Sequence, residues 1–108
     1  MSRYMIQASY TKDAVAALVN HPEDRSQVVR PMIEQLGGHM LDFYFSLGDY
    51  DVVCIAEFPS ETAALAFDIG VAVPGHLKKV KTTPLFSGEQ SVMAMKEASV
   101  VSLRAPGM

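Results

Sequence analysis

One eight-residue segment limits the possible fold more than any other part of the sequence. Residues 51–58, Asp-Val-Val-Cys-Ile-Ala-Glu-Phe, have the composition of a β-strand, and both alternating faces of that strand are apolar. One face carries Val52, Cys54, Ala56 and Phe58, and the other carries Val53 and Ile55. Soluble monomers rarely expose large apolar patches, so this strand is predicted to lie in a sheet that is covered on both sides.

Other segments have the periodicity of strands or helices. Alternating, β-rich residues predict further strands at 3–10, 39–47 and 77–86. Capping residues and helical spacing predict helices at 12–20, along an apolar stripe from Val28 to Leu36, from Ser60 to near Gly70, and at 88–98. Pro31 lies inside the stripe and predicts a kink or a helix start close before it, and Gly37-Gly38 predicts its end.

The predicted strand at 39–47 has two chemically different faces. Alternation assigns one set to the face that meets the helices: Leu41, Phe43, Phe45 and Leu47. It assigns the other set to the opposite face: Met40, Asp42, Tyr44 and Ser46. Gln7 and Ser9 of the first strand are expected on that opposite face as well.

The order of these segments predicts an α+β fold of the ferredoxin-like, split βαβ type. Right-handed crossovers give a four-stranded antiparallel sheet with strand order 4-1-3-2 and the crossover helices on one face. The other face is then bare but partly apolar, so a second subunit is predicted to cover it in a homo-oligomer, most simply a two-fold dimer. Residues 1–98 are expected to form one domain, and the tail at 99–108 to be ordered at a subunit contact.

Charge and cysteine content exclude several classes of function. The formal net charge is −3, and the only basic cluster is Lys78, Lys79 and Lys81, so no nucleic-acid partner is predicted. Cys54 is the single cysteine and cannot form a disulfide within the chain, which favours a reducing compartment. No apolar stretch is long enough to span a membrane, and a cytoplasmic location is expected.

Several motifs in the chain resemble those of the GYD domain family. Gly48-Asp49-Tyr50-Asp51 is similar to the Gly-x-Tyr-Asp turn that names the family, and "YMIQASYT", "LGGHML" and "KTTPLF" are similar in sequence and order. The resemblance covers about residues 3–90. It implies a ferredoxin-like fold akin to the dimeric α/β-barrel proteins, and it implies no established activity.

The candidate site residues are polar side chains on the predicted strands and in the turns beside them. Convergent polar side chains in an apolar setting are typical of ligand sites, and the predicted ligand-binding set is Gln7, Ser9, Asp42, Tyr44, Tyr50 and Asp51. The candidate catalytic set is Asp42 as a base with Tyr44 or Tyr50 as a hydrogen-bond donor. The candidate anion-binding set is His76, Lys81 and Thr83. The three histidines lack metal-ligand spacing, so neither a metal nor a cofactor is predicted.

Three functions remain open at this point. The leading hypothesis is an oligomeric protein that binds a small molecule or serves an accessory role. The first alternative is a cofactor-independent enzyme, similar to monooxygenases or isomerases, acting on a small aromatic or carbonyl substrate. The second alternative is a purely structural or regulatory assembly protein.

Overall fold

The computed structural model describes residues 1–107 and contains four strands and four helices. The strands are β1 (Ser2–Tyr10), β2 (His39–Phe45), β3 (Val52–Phe58) and β4 (Leu77–Leu85). The helices are α1 (Lys12–Asn20), α2 (Ser26–Gln35), α3 (Glu61–Ala72) and α4 (Gly88–Ala98). Thr11, Ser60 and Ser87 cap α1, α3 and α4, each accepting a hydrogen bond from a first-turn backbone N–H.

The four strands form one antiparallel sheet in the order β2-β3-β1-β4. This confirms the predicted ferredoxin-like order, which is the same order read from the other edge. The two central strands are paired along their length, with Ile6 opposite Cys54 and Tyr4 opposite Ala56. Pro84 lies on β4, an edge strand, where its missing N–H costs the sheet little.

The core lies on one side of the sheet, which we call the helix face. It contains the alternate residues of the central strands, Tyr4, Ile6, Ala8 and Tyr10 on β1 and Val52, Cys54, Ala56 and Phe58 on β3. Phe58 is fully buried and its ring contacts those of Tyr4 and Phe67, at centroid distances of 6.0 and 5.7 Å. Ile33 of α2 is also fully buried, and Phe67 belongs to α3, so both helices pack on this face.

The predicted assignment of faces on β2 was wrong at its first residues. The register between β2 and β3 shifts after Met40. Met40 pairs with Ala56 and Asp42 pairs with Ile55, which leaves Leu41 as the extra residue of a bulge. Met40 therefore lies on the helix face and is buried, whereas Leu41 is 40% exposed. The strand also ends at Phe45, two residues before the predicted end, and Leu47 is fully exposed.

The glycines and the proline that were predicted to limit helices do so in only some cases. Helix α3 continues through Gly70 to Ala72, two residues beyond the predicted end. Helix α2 begins at Ser26, five residues before Pro31, and includes that proline. Gly37, with φ of +79°, ends α2 as predicted, and the amide of Gly38 donates to the carbonyl of Ile33 at 3.0 Å.

The C-terminal part of the chain lies outside the core. No residue of α4 is buried, and residues 99–107 contain no strand. The radius of gyration is 17.8 Å and the longest dimension 62 Å, compared with a radius of about 13 Å for a compact domain of this length. Apolar side chains of this region are exposed, among them Val92, Met95 and Leu103.

Candidate functional site

The Gly48-Asp49-Tyr50-Asp51 turn is held in place by hydrogen bonds, most of them to the end of β1. Asp51 Oδ2 accepts from the amide of Tyr10 at 2.8 Å, and the amide of Asp51 donates to the carbonyl of Ala8 at 2.9 Å. Ser9 Oγ donates to the carbonyl of Asp49 at 2.7 Å, and Ser46 Oγ to that of Tyr50 at 2.7 Å. These contacts give the turn a structural role that accounts for the side chain of Asp51 and for the backbone carbonyl of Asp49.

Tyr50 lies beside β4 rather than at a cavity rim. Lys79 Nζ is 5.1 Å from the centroid of the Tyr50 ring, within the range of a cation–π contact. Lys79 is paired with Ser9 in the sheet. The turn therefore crosses the end of β1 and reaches the edge strand.

The second side of the sheet, which we call the open face, carries most of the other predicted ligand-binding residues. Register places Tyr44, Val53, Gln7 and Lys81 in one row across the sheet, and Asp42, Ile55, Met5 and Thr83 in the next. The Tyr44 hydroxyl donates to Asp42 Oδ1 at 3.3 Å, and both residues are exposed. The open face thus has an apolar centre, formed by Val53, Ile55 and Met5, with polar groups on both sides.

The three residues of the anion-binding candidate are not brought together. Lys81 and Thr83 lie in the two rows of the open face. His76 lies in the turn before β4, and its neighbours belong to the helix side of the sheet.

A cavity of about 230 Å³ lies between the helix face of the sheet and helices α2 and α3. Its apolar lining comes from all three layers of this packing, and includes Ile6, Val29, Met32, Val52, Val71 and Val80. The polar groups at the cavity are Tyr10, Arg25 and His76, and these three also border a second cleft of about 250 Å³ beside α1. The three residues therefore separate the apolar cavity from the second cleft.

Arg25 is the central polar residue of this boundary. Its Nη1 donates to Glu23 Oε1 at 2.6 Å, and its Nε is buried without a hydrogen-bond partner in the described part of the chain. Burial by itself lowers the pKa of the guanidinium, but the hydrogen bond to Glu23 and the nearby Tyr10 hydroxyl outweigh it and raise that pKa above its ordinary value. Arg25 is therefore a permanent positive charge at the cavity.

Two other titratable side chains at the cavity are held neutral. Burial raises the pKa of the Tyr10 phenol above its ordinary value, and the nearby Arg25 guanidinium offsets this only in part. Burial also raises the pKa of the Cys54 thiol to about 11. At neutral pH Tyr10 is a hydroxyl that can donate a hydrogen bond, and Cys54 is an inert apolar group.

Sequence reasoning missed the participation of Tyr10 and Arg25. Tyr10 falls at the end of the strand predicted at 3–10, and nothing in the sequence assigns it a role beyond that strand. Arg25 follows the loop "NHPED" and precedes the apolar stripe of α2, a position at which a solvent-exposed arginine is ordinary. The one available signal is a charged side chain at the start of an otherwise apolar helix face.

The described residues offer neither a metal centre nor a membrane span. Within residues 1–107, no three His, Cys, Asp or Glu side chains gather closely enough to hold a metal ion. None of the helices in the same range has the length and hydropathy that a bilayer crossing requires.

The fold and the cavity define a ferredoxin-like α+β protein with an apolar site beside a fixed cation. The chain belongs to the GYD domain family, whose match extends over residues 4–95. This confirms the resemblance found in the sequence. No curated protein matches the chain.

Solved structures share the fold at low sequence identity. MtbAldR is 14% identical with a TM-score of 0.58, and the match covers 80% of this chain and 52% of that one, so the chain spans about half the length of MtbAldR. TTHA0845 from Thermus thermophilus is 16% identical with a TM-score of 0.52, covering 82% and 96% of the two chains. Protein Atu4242 from Agrobacterium tumefaciens is 14% identical with a TM-score of 0.50, covering 82% and 94%. At these identities the likeness establishes the fold alone.

Proposed function

We propose that this GYD domain protein binds a small molecule in the helix-face cavity and works as a homo-oligomer. The observation that carries the proposal is the cavity itself, an apolar space of about 230 Å³ with polar groups confined to one side. Ligand sites in proteins combine mainly apolar walls with a few polar groups that fix orientation. Well-packed cores, by contrast, have few voids larger than a water molecule.

The size of the cavity supports a small ligand. Pockets for drug-sized ligands have volumes of about 300–1,000 Å³, whereas an apolar cavity of about 150 Å³ holds one benzene molecule. A volume of about 230 Å³ is therefore suited to one substituted ring or a short branched chain.

The oligomer is supported by the open face. Its centre is apolar and lies on the side of the sheet opposite to the core, and Leu41 and Tyr44 at its edge are 40% and 61% exposed. A second copy of the chain would cover these residues, and we propose that the exposed tail at 99–107 contacts a second copy as well. In such an assembly the predicted set of Gln7, Ser9, Asp42, Tyr44, Tyr50 and Asp51 would form or border the interface.

The enzymatic alternative has weaker support. Its proposed base and donor, Asp42 and Tyr44, contact each other at 3.3 Å but are exposed on the open face. General base catalysis on a small substrate needs an enclosed site, which these residues would gain only from a partner subunit.

Native mass spectrometry of the freshly purified protein tests both parts of the proposal. We expect an assembly of at least two chains that carries additional small-molecule mass, and loss of that mass in Val71→Phe, whose larger side chain fills the cavity. For protein purified without a ligand, titration with toluene, a neutral probe, should shift the methyl resonances of Ile6 and Val80. Absence of both the additional mass and the methyl shifts would contradict binding in this cavity.

A further inference from the structure

The structure also indicates the chemical class of the ligand. Resting on the proposed function, we infer that the helix-face cavity takes a small carboxylate, with one apolar ring or short branched chain inside the cavity and its anionic group at Arg25. Tyr10 and His76, which border the cavity beside Arg25, complete the set of polar contacts.

The first argument is the balance of charge around the cavity. The residues that line it include the permanent cation of Arg25 and no aspartate or glutamate from the described residues. Glu23 borders only the second cleft, on the other side of Arg25. A ligand inside the cavity therefore meets a positive charge that is not opposed on its own side, which favours a negative group.

The second argument is the incomplete hydrogen bonding of Arg25. Glu23 occupies Nη1, with a bond of 2.6 Å, while Nε is shielded from solvent and has no acceptor among the described residues. A buried donor without an acceptor destabilises the folded protein, because it loses its hydrogen bonds to water and gains none in return. A carboxylate is a suitable acceptor, because its two oxygens can accept from two N–H groups of one guanidinium.

The third argument concerns two further groups, the carboxylate of Asp51 and the hydroxyl of Tyr10. Asp51, which follows Tyr50 near the same end of the sheet, already accepts from the amide of Tyr10 at 2.8 Å. Its carboxylate is held by the backbone and is not a competitor for Arg25. The Tyr10 hydroxyl is protonated at neutral pH, as an ordinary tyrosine is, and burial raises its pKa further, so it can donate to an anion.

The direct test compares two probes of nearly equal size, phenylacetate and phenylacetamide. A charged hydrogen bond discriminates by roughly 1.5–3 kcal/mol, so we expect phenylacetate to bind at least about tenfold more tightly by NMR titration. In the same titration the Arg25 Nε–H resonance should shift with phenylacetate and move little with the amide. This readout uses the wild-type protein and does not depend on the folding of a variant.

Three variants separate the contribution of the charge from that of the cavity. Arg25→Met keeps the length of the side chain and should reduce the preference for phenylacetate to about onefold, whereas Arg25→Lys should retain part of it. Val71→Phe should abolish binding of both probes.

The outcomes distinguish the two proposals. Equal binding of acid and amide, with an unmoved Nε–H resonance, would overturn the carboxylate inference and leave the binding cavity intact. Binding of neither probe, together with unmoved Ile6 and Val80 methyl resonances with toluene, would overturn both.

Discussion

The backbone amide of Tyr10 donates to Asp51 Oδ2 at 2.8 Å, across 41 residues of sequence. Through this bond the turn between β2 and β3 holds the last residue of β1, whose side chain borders the proposed binding cavity. Asp51 of the turn thus supports the site through the backbone of Tyr10, although the turn residues do not line the cavity.

Asp51→Ala is expected to destabilise the fold by roughly 1–3 kcal/mol, because it leaves the Tyr10 amide without its acceptor. Asp51→Asn should cost less, since the amide oxygen of asparagine can still accept. Asp49→Ala is the matched control, because Asp49 contributes only its backbone carbonyl to the turn, and it should stay within about 0.5 kcal/mol of the wild type. Urea denaturation measures all three, and equal midpoints for Asp51→Ala and Asp49→Ala would contradict the role of this bond.

The fold was predictable because the strongest patterns in the sequence are those that determine secondary structure and the order of its elements. The two apolar faces of residues 51–58 and the order of the segments were sufficient for the sheet order. The bulge at Leu41 was not predictable, because one extra residue reverses the alternation and leaves no mark in the local composition. Gly70 predicted a helix end, but glycine is tolerated inside a helix when the following residues pack.

Cys54 is expected to resist alkylation at pH 8, because burial raises its pKa to about 11 and leaves almost no thiolate. The same shift affects stability at high pH. The unfolded thiol loses its proton near pH 8.5, whereas the folded thiol keeps it until about pH 11, so the free energy of unfolding should fall across this range by up to about 3 kcal/mol.

The control for this prediction is Cys54→Ala, which lacks the titrating group. Its own stability is lowered by the lost side chain, so the comparison is between slopes with pH and not between absolute values. Chemical denaturation at several pH values gives both slopes. Parallel slopes for the two proteins between about pH 8.5 and 11 would show that Cys54 does not titrate differently in the folded state.

Two glycines should respond to the same substitution in opposite directions. A Cβ at Gly38 would lie 2.5 Å from the carbonyl oxygen of Glu57, so Gly38→Ala should destabilise the fold by roughly 1–3 kcal/mol. A Cβ at Gly70 meets nothing within 4 Å and lies inside α3, so Gly70→Ala should stabilise by about 0.5–1 kcal/mol. Thermal unfolding of the two variants gives the signs directly, and a stabilised Gly38→Ala would disprove the close approach of α2's end to β3.

The candidate site was less predictable than the fold. Gln7, Asp42 and Tyr44 were selected because they share a face of the sheet, and the register does place them in adjacent rows. Their role as ligand contacts stays a prediction. Arg25 could not be selected, because its position depends on how the loop before α2 returns to β1, which is a property of tertiary packing.

The last prediction concerns the open face, where Ile55 lies between Met5 and Asp42 in the centre of one row. In a single chain Ile55 points away from the core, so Ile55→Lys should leave the folded monomer intact. In an assembly that covers this face, the same lysine would be buried without a partner, at a cost of several kcal/mol. We therefore expect analytical ultracentrifugation to show an oligomer for the wild type and a shift toward monomer for Ile55→Lys. Leu65→Lys, on the exposed surface of α3, is the matched control and should remain assembled. A wild-type monomer, or an Ile55→Lys variant that assembles as the wild type does, would mean that no second copy covers the open face.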